Sequence, residues 1–321
     1  MSTTATELEG VAVTHRTLEV NGIRIHVAEA GDGSAGGTVL FLHGFLELWH
    51  SWSHQLRSLA ARGYRCVAPD LRGYGGSSAP PSPSAYTAFH LAGDVVGVLD
   101  ALAVPRAFVH LATFRPDRVR ALVAVGVAFM PRDPAARPLE AFRRLYGDGY
   151  YMLRMQEPGA MEAEFARMGA RFVFRKVLTT RDTGAVSLSP EWWGPPDQDI
   201  PLPPWLSEEY VDSLAATFDE TGFAGATNFY RCLDLVQELG ADGAVDGGEG
   251  DGADQVHGRG GGHVVQLHGG AGVHPQGRAQ GLKGDVPGLE EVAVIAGAAN
   301  FIHLEKAEEV TQHIYDFIKK F

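Results

Sequence analysis

Thr38-Val39-Leu40-Phe41-Leu42, running into His43-Gly44-Phe45-Leu46, is the stretch on which the reading of this chain turns. Five β-favouring or apolar residues in succession read as a strand buried on both faces. The His-Gly-Phe that ends it makes a sharp loop where a backbone amide can point at a ligand. Open α/β sheets place their sites at such carboxyl ends of strands. Upstream, residues 18–28 read as two alternating strands around Asn21-Gly22, the strongest short hairpin signal. Downstream, 52–62 reads as a helix stopped by Gly63, and 64–69 as another short apolar strand. The latter feeds a loop, 70–78, whose glycines at 73, 75 and 76 permit a tight turn.

Two of these strings carry a family resemblance. His43-Gly-Phe-Leu-Glu-Leu-Trp-His-Ser-Trp52 resembles the H-G-F-P-E-x-W-x-S-W stretch of soluble, plant-type epoxide hydrolases of the α/β-hydrolase superfamily. Pro69-Asp-Leu-Arg-Gly-Tyr-Gly-Gly-Ser77 matches that superfamily's P-D-x-R-G-x-G-x-S loop. The resemblance implies an α/β-hydrolase fold, a mostly parallel sheet flanked by helices with an inserted helical cap. It also implies that His43, Gly44, Phe45 and Trp52 form the oxyanion and binding side, with the Phe45 amide in the oxyanion hole. Leu46 stands where the family has proline. Residues 131–235, rich in proline, arginine and aromatics, have the position and composition of the cap, with helical patterns at 138–146, 161–178 and 207–217. Within it, 150–159 and 222–231 resemble the segments that carry two lid tyrosines, which places that role on Tyr151 and Tyr230. A phenol can donate a hydrogen bond to an epoxide oxygen and later a proton to the alkoxide. The plainer alternative is a tyrosine that packs in a cap with its hydroxyl at the surface.

The chain departs from the family where chemistry is concentrated. Residues 86–102 form an amphipathic helical pattern, and 104–109 starts a strand that in this superfamily ends in the nucleophile elbow. Here Val109 is followed directly by His110 and by what resembles the second half of the helix after the elbow. About eleven residues of the family pattern are missing, so the core reads as incomplete. No G-x-S-x-G or G-x-D-x-G occurs elsewhere, and no nucleophile is assigned. After an apolar strand at 120–129 and the cap comes a glycine-rich tract, 236–284, read as aberrant and disordered, with almost no run able to form a buried strand. Residues 246–256 match an out-of-frame reading of the W-T-G-A-K-V-T-V-P-T-K-F string that plant members carry there. A frameshift over this tract would remove the acidic member of the triad. The final strand, at 291–296, leads to Gly297-Ala-Ala-Asn300-Phe301, where the family has G-x-x-H-F with a histidine base. Asn300 cannot take a proton. His303, three residues on, is expected to face elsewhere, and 311–321 closes the chain as an amphipathic helix.

These readings divide the chain into an N-terminal core part (1–130), a cap (131–235), the aberrant segment (236–284) and a C-terminal core part (285–321). A net charge of −12 without a basic patch argues against a nucleic-acid partner. A polar N-terminus and the lack of a run of about 18 apolar residues argue against a signal or a membrane span, so a cytoplasmic protein is expected. Two cysteines are too few for a disulfide scaffold, and Cys66 reads as a small buried hydrophobe. No cofactor is expected, and no metal, because the histidines of the glycine-rich tract lack paired ligand spacing. Intact relatives convert an epoxide and water to a vicinal diol through an aspartyl ester. The leading expectation here is a catalytically defective member, a pseudoenzyme. The alternatives are a non-catalytic binder holding an apolar epoxide or lipid-like ligand in the cap–core cleft, and an active hydrolase with rearranged residues.

Overall fold

A hairpin starts the sheet. Strands β2 (Val11–Val20) and β3 (Ile23–Ala30) pair antiparallel across Asn21-Gly22, both of which take positive φ, as a tight turn between twisted strands requires. The computed structural model describes residues 3–8, 10–108, 115–126, 137–181, 187–238, 263–269 and 289–321. Within them lies a nine-stranded sheet in the order β1-β2-β3-β5-β4-β6-β7-β8-β9. Its other strands are β1 (Thr3–Leu8), β4 (Thr38–Leu40), β5 (Arg65–Pro69), β6 (Ala107–Phe108), β7 (Val119–Val125), β8 (His263–Gly269) and β9 (Leu289–Ile295). The first three strands are antiparallel; from β5 through β9 all pairs are parallel. This mixed sheet with helices on both faces is the α/β-hydrolase arrangement.

The period-two alternation of the central strands decides which side chains meet which layer. Val39, Phe41, Cys66 and Ala68 join one apolar cluster, against Leu56 and Leu59 of α1 (Ser53–Ala60) and the C-terminal helix. Leu40 and Val67 join another, against Val95, Val98 and Leu99 of α2 (Ala88–Ala101). Each side chain fully buried in this way contributes about 1.5–3 kcal/mol. Burial also pushes the Cys66 thiol far up its scale, as expected of an inert core residue. Between α2 and the sheet edge, Arg72 makes a bidentate pair with Asp94 at 2.6 Å to each oxygen, and Asn21 Nδ2 donates to the same carboxylate at 2.8 Å.

Several expectations need correction. Residues 263–269 lie in the tract read as disordered, yet β8 pairs parallel with both neighbours and buries Val265 and Leu267. The physical reason is tertiary: β7 and β9 each offer a row of backbone groups that a strand between them satisfies, and Val265 and Leu267 share one face of it. The rest of the 240–284 tract, and the Val109–His110 junction, lie outside the described residues. The single helix expected over 161–178 is two, α5 (Ala160–Met168) and α6 (Ala170–Thr179), broken at Gly169 with φ +81°. On α2, within the pattern expected over 86–102, Phe89 is 40% exposed whereas Val95, Val98 and Leu99 are buried. β6 is only two residues long.

The helices α3 (Pro138–Tyr146), α4 (Tyr151–Arg154), α5, α6, α7 (Pro190–Trp193), α8 (Glu208–Thr221), α9 (Ala224–Arg231) and α10 (Leu233–Glu238) form a separate layer. Its apolar cluster takes in Phe165, Phe174, Trp193 and Phe218, and also Leu46, Leu48, Tyr74 and Phe301 from loops at the carboxyl ends of β4, β5 and β9. The layer therefore lies over the end of the sheet where α/β sites form. At one point the two layers touch through backbone alone. A Cβ added at Gly225 in α9 would fall 2.1 Å from the Gly73 carbonyl oxygen, and one at Gly73 would fall 2.8 Å from Gly225 Cα. Gly225→Ala is expected to destabilise the protein by about 1–3 kcal/mol in urea unfolding. Gly149→Ala, where an added Cβ meets nothing within 4 Å, should stay within about 0.5 kcal/mol. Equal effects would refute the contact.

Candidate active site

The loop after β4 is tied down by its own polar groups. His43 is buried, and its Nε2 accepts the Leu71 backbone N–H at 3.0 Å, so Nδ1 carries the proton toward the Gly44 carbonyl at 2.9 Å. Burial holds His43 below its ordinary value, consistent with a neutral ring. Gly44 N–H donates to Glu47 Oε2 at 2.5 Å, an approach a side chain would obstruct. Leu46 takes φ +58°, in the left-handed region, at a cost of about 1–2 kcal/mol for a residue with a Cβ. Its full burial against the helical layer offsets this. A proline, fixed near φ −65°, could not adopt that conformation.

Asp70, at the end of β5, fastens the neighbouring loop to this one. Its carboxylate accepts Trp49 N–H at 2.9 Å, Gly76 N–H at 3.1 Å and the His26 Nδ1 proton at 2.8 Å. Burial alone would raise this carboxyl; the bond and charge of His26, with His43 and the Trp49 amide, outweigh it and hold it below its usual value. His26 stacks on His15, and both meet the Trp49 ring edge-on. The loop positions assigned from sequence are thus set by Asp70, which belongs to a string read only as a family marker.

Tyr151 opens α4 and Tyr230 lies in α9. Their ring centroids are 5.4 Å apart, and the Phe45 ring lies 5.0 Å from Tyr230 and 6.4 Å from Tyr151. Burial, and then the neighbouring phenol, push Tyr151 well above its ordinary value; burial does the same to Tyr230. Both hydroxyls therefore stay protonated and able to donate. The pair is aligned by Arg231, whose Nε donates to the Met155 carbonyl just after α4 and whose terminal nitrogens grip Glu162 at 2.6 and 2.8 Å. Gln156 Nε2 adds a bond to the Tyr230 carbonyl at 3.0 Å. No signal in the sequence marked Arg231 and Glu162; a buried ion pair across 69 residues has no local pattern.

The far wall holds a second surprise. Asn300 sits exposed at the bend after β9, and its amide offers no base. His303, expected to face elsewhere, is buried in α11 (Ile302–Glu305), stacked on Trp52 at 4.3 Å, with Nε2 2.9 Å from Glu47 Oε1. The reason is that α11 is one turn long and capped tightly: Glu305 accepts the Ala299 and Phe301 N–H groups, which turns residue 303 inward. Gln55 Nε2 then holds the His303 carbonyl at 2.9 Å. Glu47 was equally unassigned, although Gly-Phe-Leu-Glu places it where it can reach back to Gly44. Among the described residues no group of histidine, cysteine and acidic side chains could hold a metal ion.

Comparison with known proteins gives concordant results. The family model described as alpha/beta hydrolase fold matches residues 37–151. Epoxide hydrolase 1 of Siraitia grosvenorii is 46% identical over an alignment covering 96% of this chain and 99% of that one. The crystal structure of an epoxide hydrolase from Vigna radiata superposes with a TM-score of 0.83 at 43% identity, covering 96% and 98%. A histidine-to-asparagine mutant of potato epoxide hydrolase superposes with a TM-score of 0.81 at 40% identity, covering 96% and 100%.

Because the folded-state pKa of Asp70 lies below its unfolded value of about 3.9, the stability it contributes is complete above that value and is lost as pH falls through the folded one. Asp70→Asn should therefore cost about 1.5–3 kcal/mol at pH 7, and the gap to the wild type in urea melts should narrow steadily on acidification below about pH 4. A gap independent of pH would show that the charge of Asp70 is not what fastens the loops.

Proposed function

Since the chain belongs to the epoxide hydrolases of the α/β-hydrolase family, we propose that it binds an apolar epoxide beneath a cap formed by α3–α10 and that the two-step ester route is closed to it. The observation that carries this reading is the convergence of Tyr151, Tyr230 and Phe45 beside a sequence with no nucleophile. The closeness of two protonated phenols supports donation to one epoxide oxygen, with the Phe45 ring as an apolar face. The ester route needs a carboxylate to attack carbon and a histidine to activate the water that releases the ester. Val109 runs straight into His110 where the elbow belongs, and Asn300 stands at the position of the base. Parts that act as a unit cannot be lost singly without losing most of the rate.

Retained binding also supports the second reading, a cleft that holds an epoxide or lipid-like molecule without chemistry. Both readings predict the same ligand class and the same tyrosines. The protein is expected to act without a cofactor and in the cytoplasm; no described helix is long and apolar enough to cross a membrane.

Calorimetry on a soluble, cooperatively melting preparation should detect styrene oxide binding. Tyr151→Phe combined with Tyr230→Phe should weaken it roughly 5- to 150-fold, the equivalent of two neutral hydrogen bonds. Intact-mass spectra taken during exposure to styrene oxide should show no covalent adduct. An adduct on any aspartate would overturn the closure of the ester route, and unchanged binding by the double variant would overturn the role of the tyrosines.

A further inference from the structure

Around Glu47 and His303 the interior holds more polar atoms than the protein satisfies. Among the described residues no protein group gives an aligned hydrogen bond to His50 Nε2, Ser51 Oγ, Trp52 Nε1 or Tyr210 Oη, four buried atoms close to that pair. Trp52 stacks on His303, and His50 meets Tyr210 edge-on with ring centroids 5.0 Å apart. Glu47 Oε1 and His303 Nε2 approach to 2.9 Å as a carboxylate–imidazole pair, which leaves Nδ1 as the ring nitrogen able to take a proton. Buried polar atoms are ordinarily satisfied, and a polar pocket with several of them together is suited to water.

The pair adjoins the cleft. Glu47 is held by the Gly44 amide, one residue before the Phe45 ring that meets both lid tyrosines. Phe301 and Leu304, on either side of Ile302 and His303, belong to the same apolar cluster as Tyr151 and Tyr230. The Glu47 charge is felt at Tyr230, Tyr210 and Tyr74. Burial would raise the Glu47 carboxyl, but His303, His43 and the Gly44 amide outweigh it and keep it ionised.

We propose that His303, oriented by Glu47, is the general base for a direct, single-step hydrolysis in which water attacks an epoxide held by Tyr151 and Tyr230. This inference rests on the epoxide-binding reading above and adds a reaction to it. The balance closes without a co-reactant. The water oxygen forms a bond to an epoxide carbon as that carbon's bond to the ring oxygen breaks. The electron pair goes to the ring oxygen, which takes a proton from a tyrosine. The attacking water loses a proton to His303 Nδ1, and that proton returns to the tyrosinate through solvent. The product is a vicinal diol, and no protein atom is ever alkylated. Glu47 is a positioning residue: it fixes the ring and stabilises the imidazolium that forms.

The test is diol formation from styrene oxide in ¹⁸O-water under single-turnover conditions, with enzyme in excess. Direct attack puts ¹⁸O into the diol in the first turnover. An ester route would first deliver an unlabelled carboxylate oxygen from the protein. His303→Gln should lower the rate about 100-fold or more while styrene oxide binding is kept. The wild-type rate should fall on the acid side, where the imidazole is protonated. Glu47→Gln should lower the rate and shift that acid limb, a change that mere loss of packing would not cause; it also serves if His303→Gln does not fold. An unlabelled first-turnover diol, or an unchanged rate in both variants, would overturn the proposal. A folded protein that binds styrene oxide but forms no diol above a blank would overturn it and leave the binding reading standing. Failure to bind styrene oxide would remove both.

Discussion

One buried carboxylate holds the site end of this molecule together. Asp70 receives hydrogen bonds from Trp49, Gly76 and His26, which belong to the loop after β4, the loop after β5 and strand β3. A carboxylate has about four acceptor positions, and here three donors from three separate pieces of backbone converge on it. The turn at Gly75 exists for this purpose: a Cβ there would lie 2.4 Å from an Asp70 oxygen. With these loops tied to one charge, the 43–52 segment has little freedom, and Phe45, Glu47 and Trp52 inherit their places from it. Burying a charge is costly unless it is bonded and paired, and His26 supplies the pairing.

The sheet was legible in the sequence because its rules are local. The apolar runs at 38–42 and 64–69, Asn-Gly at 21–22 and the Gly63 stop act within a few residues, so a reader of the chain sees what the folded protein uses. Tyr151 and Tyr230 were singled out because the strings around them resemble a family, and their rings lie together with that of Phe45. β8 was missed because glycine density spoke louder than a short apolar run, and because a central strand draws its stability from neighbours that no local window contains. Glu47, His303 and the Arg231–Glu162 pair were missed for a related reason. Each is a contact between distant segments, and a charged residue that will be buried reads the same as one bound for the surface.

The two walls beside Phe45 are fixed by different means. The tyrosine wall is fixed by Arg231, a buried, doubly bonded guanidinium, and its phenols are kept neutral by burial. The opposite wall has an amide at Asn300 and a compensating cluster of titratable groups one helical turn further along. His50, pushed down to about 4 mainly by burial, and His43, likewise lowered, are neutral around an ionised Glu47. The net result is one negative charge set among imidazoles of which burial keeps His43 and His50 neutral.

The backbone contact between Gly73 and Gly225 bears on how such a protein can change over generations. A seam made of side chains erodes gradually as each partner is replaced. This one depends on two positions having no side chain at all, beside an apolar seam where Leu46, Leu48, Tyr74 and Phe301 join the helical layer. Side chains in that seam can be exchanged one at a time, whereas a single methyl at either glycine would pry the layers apart at once.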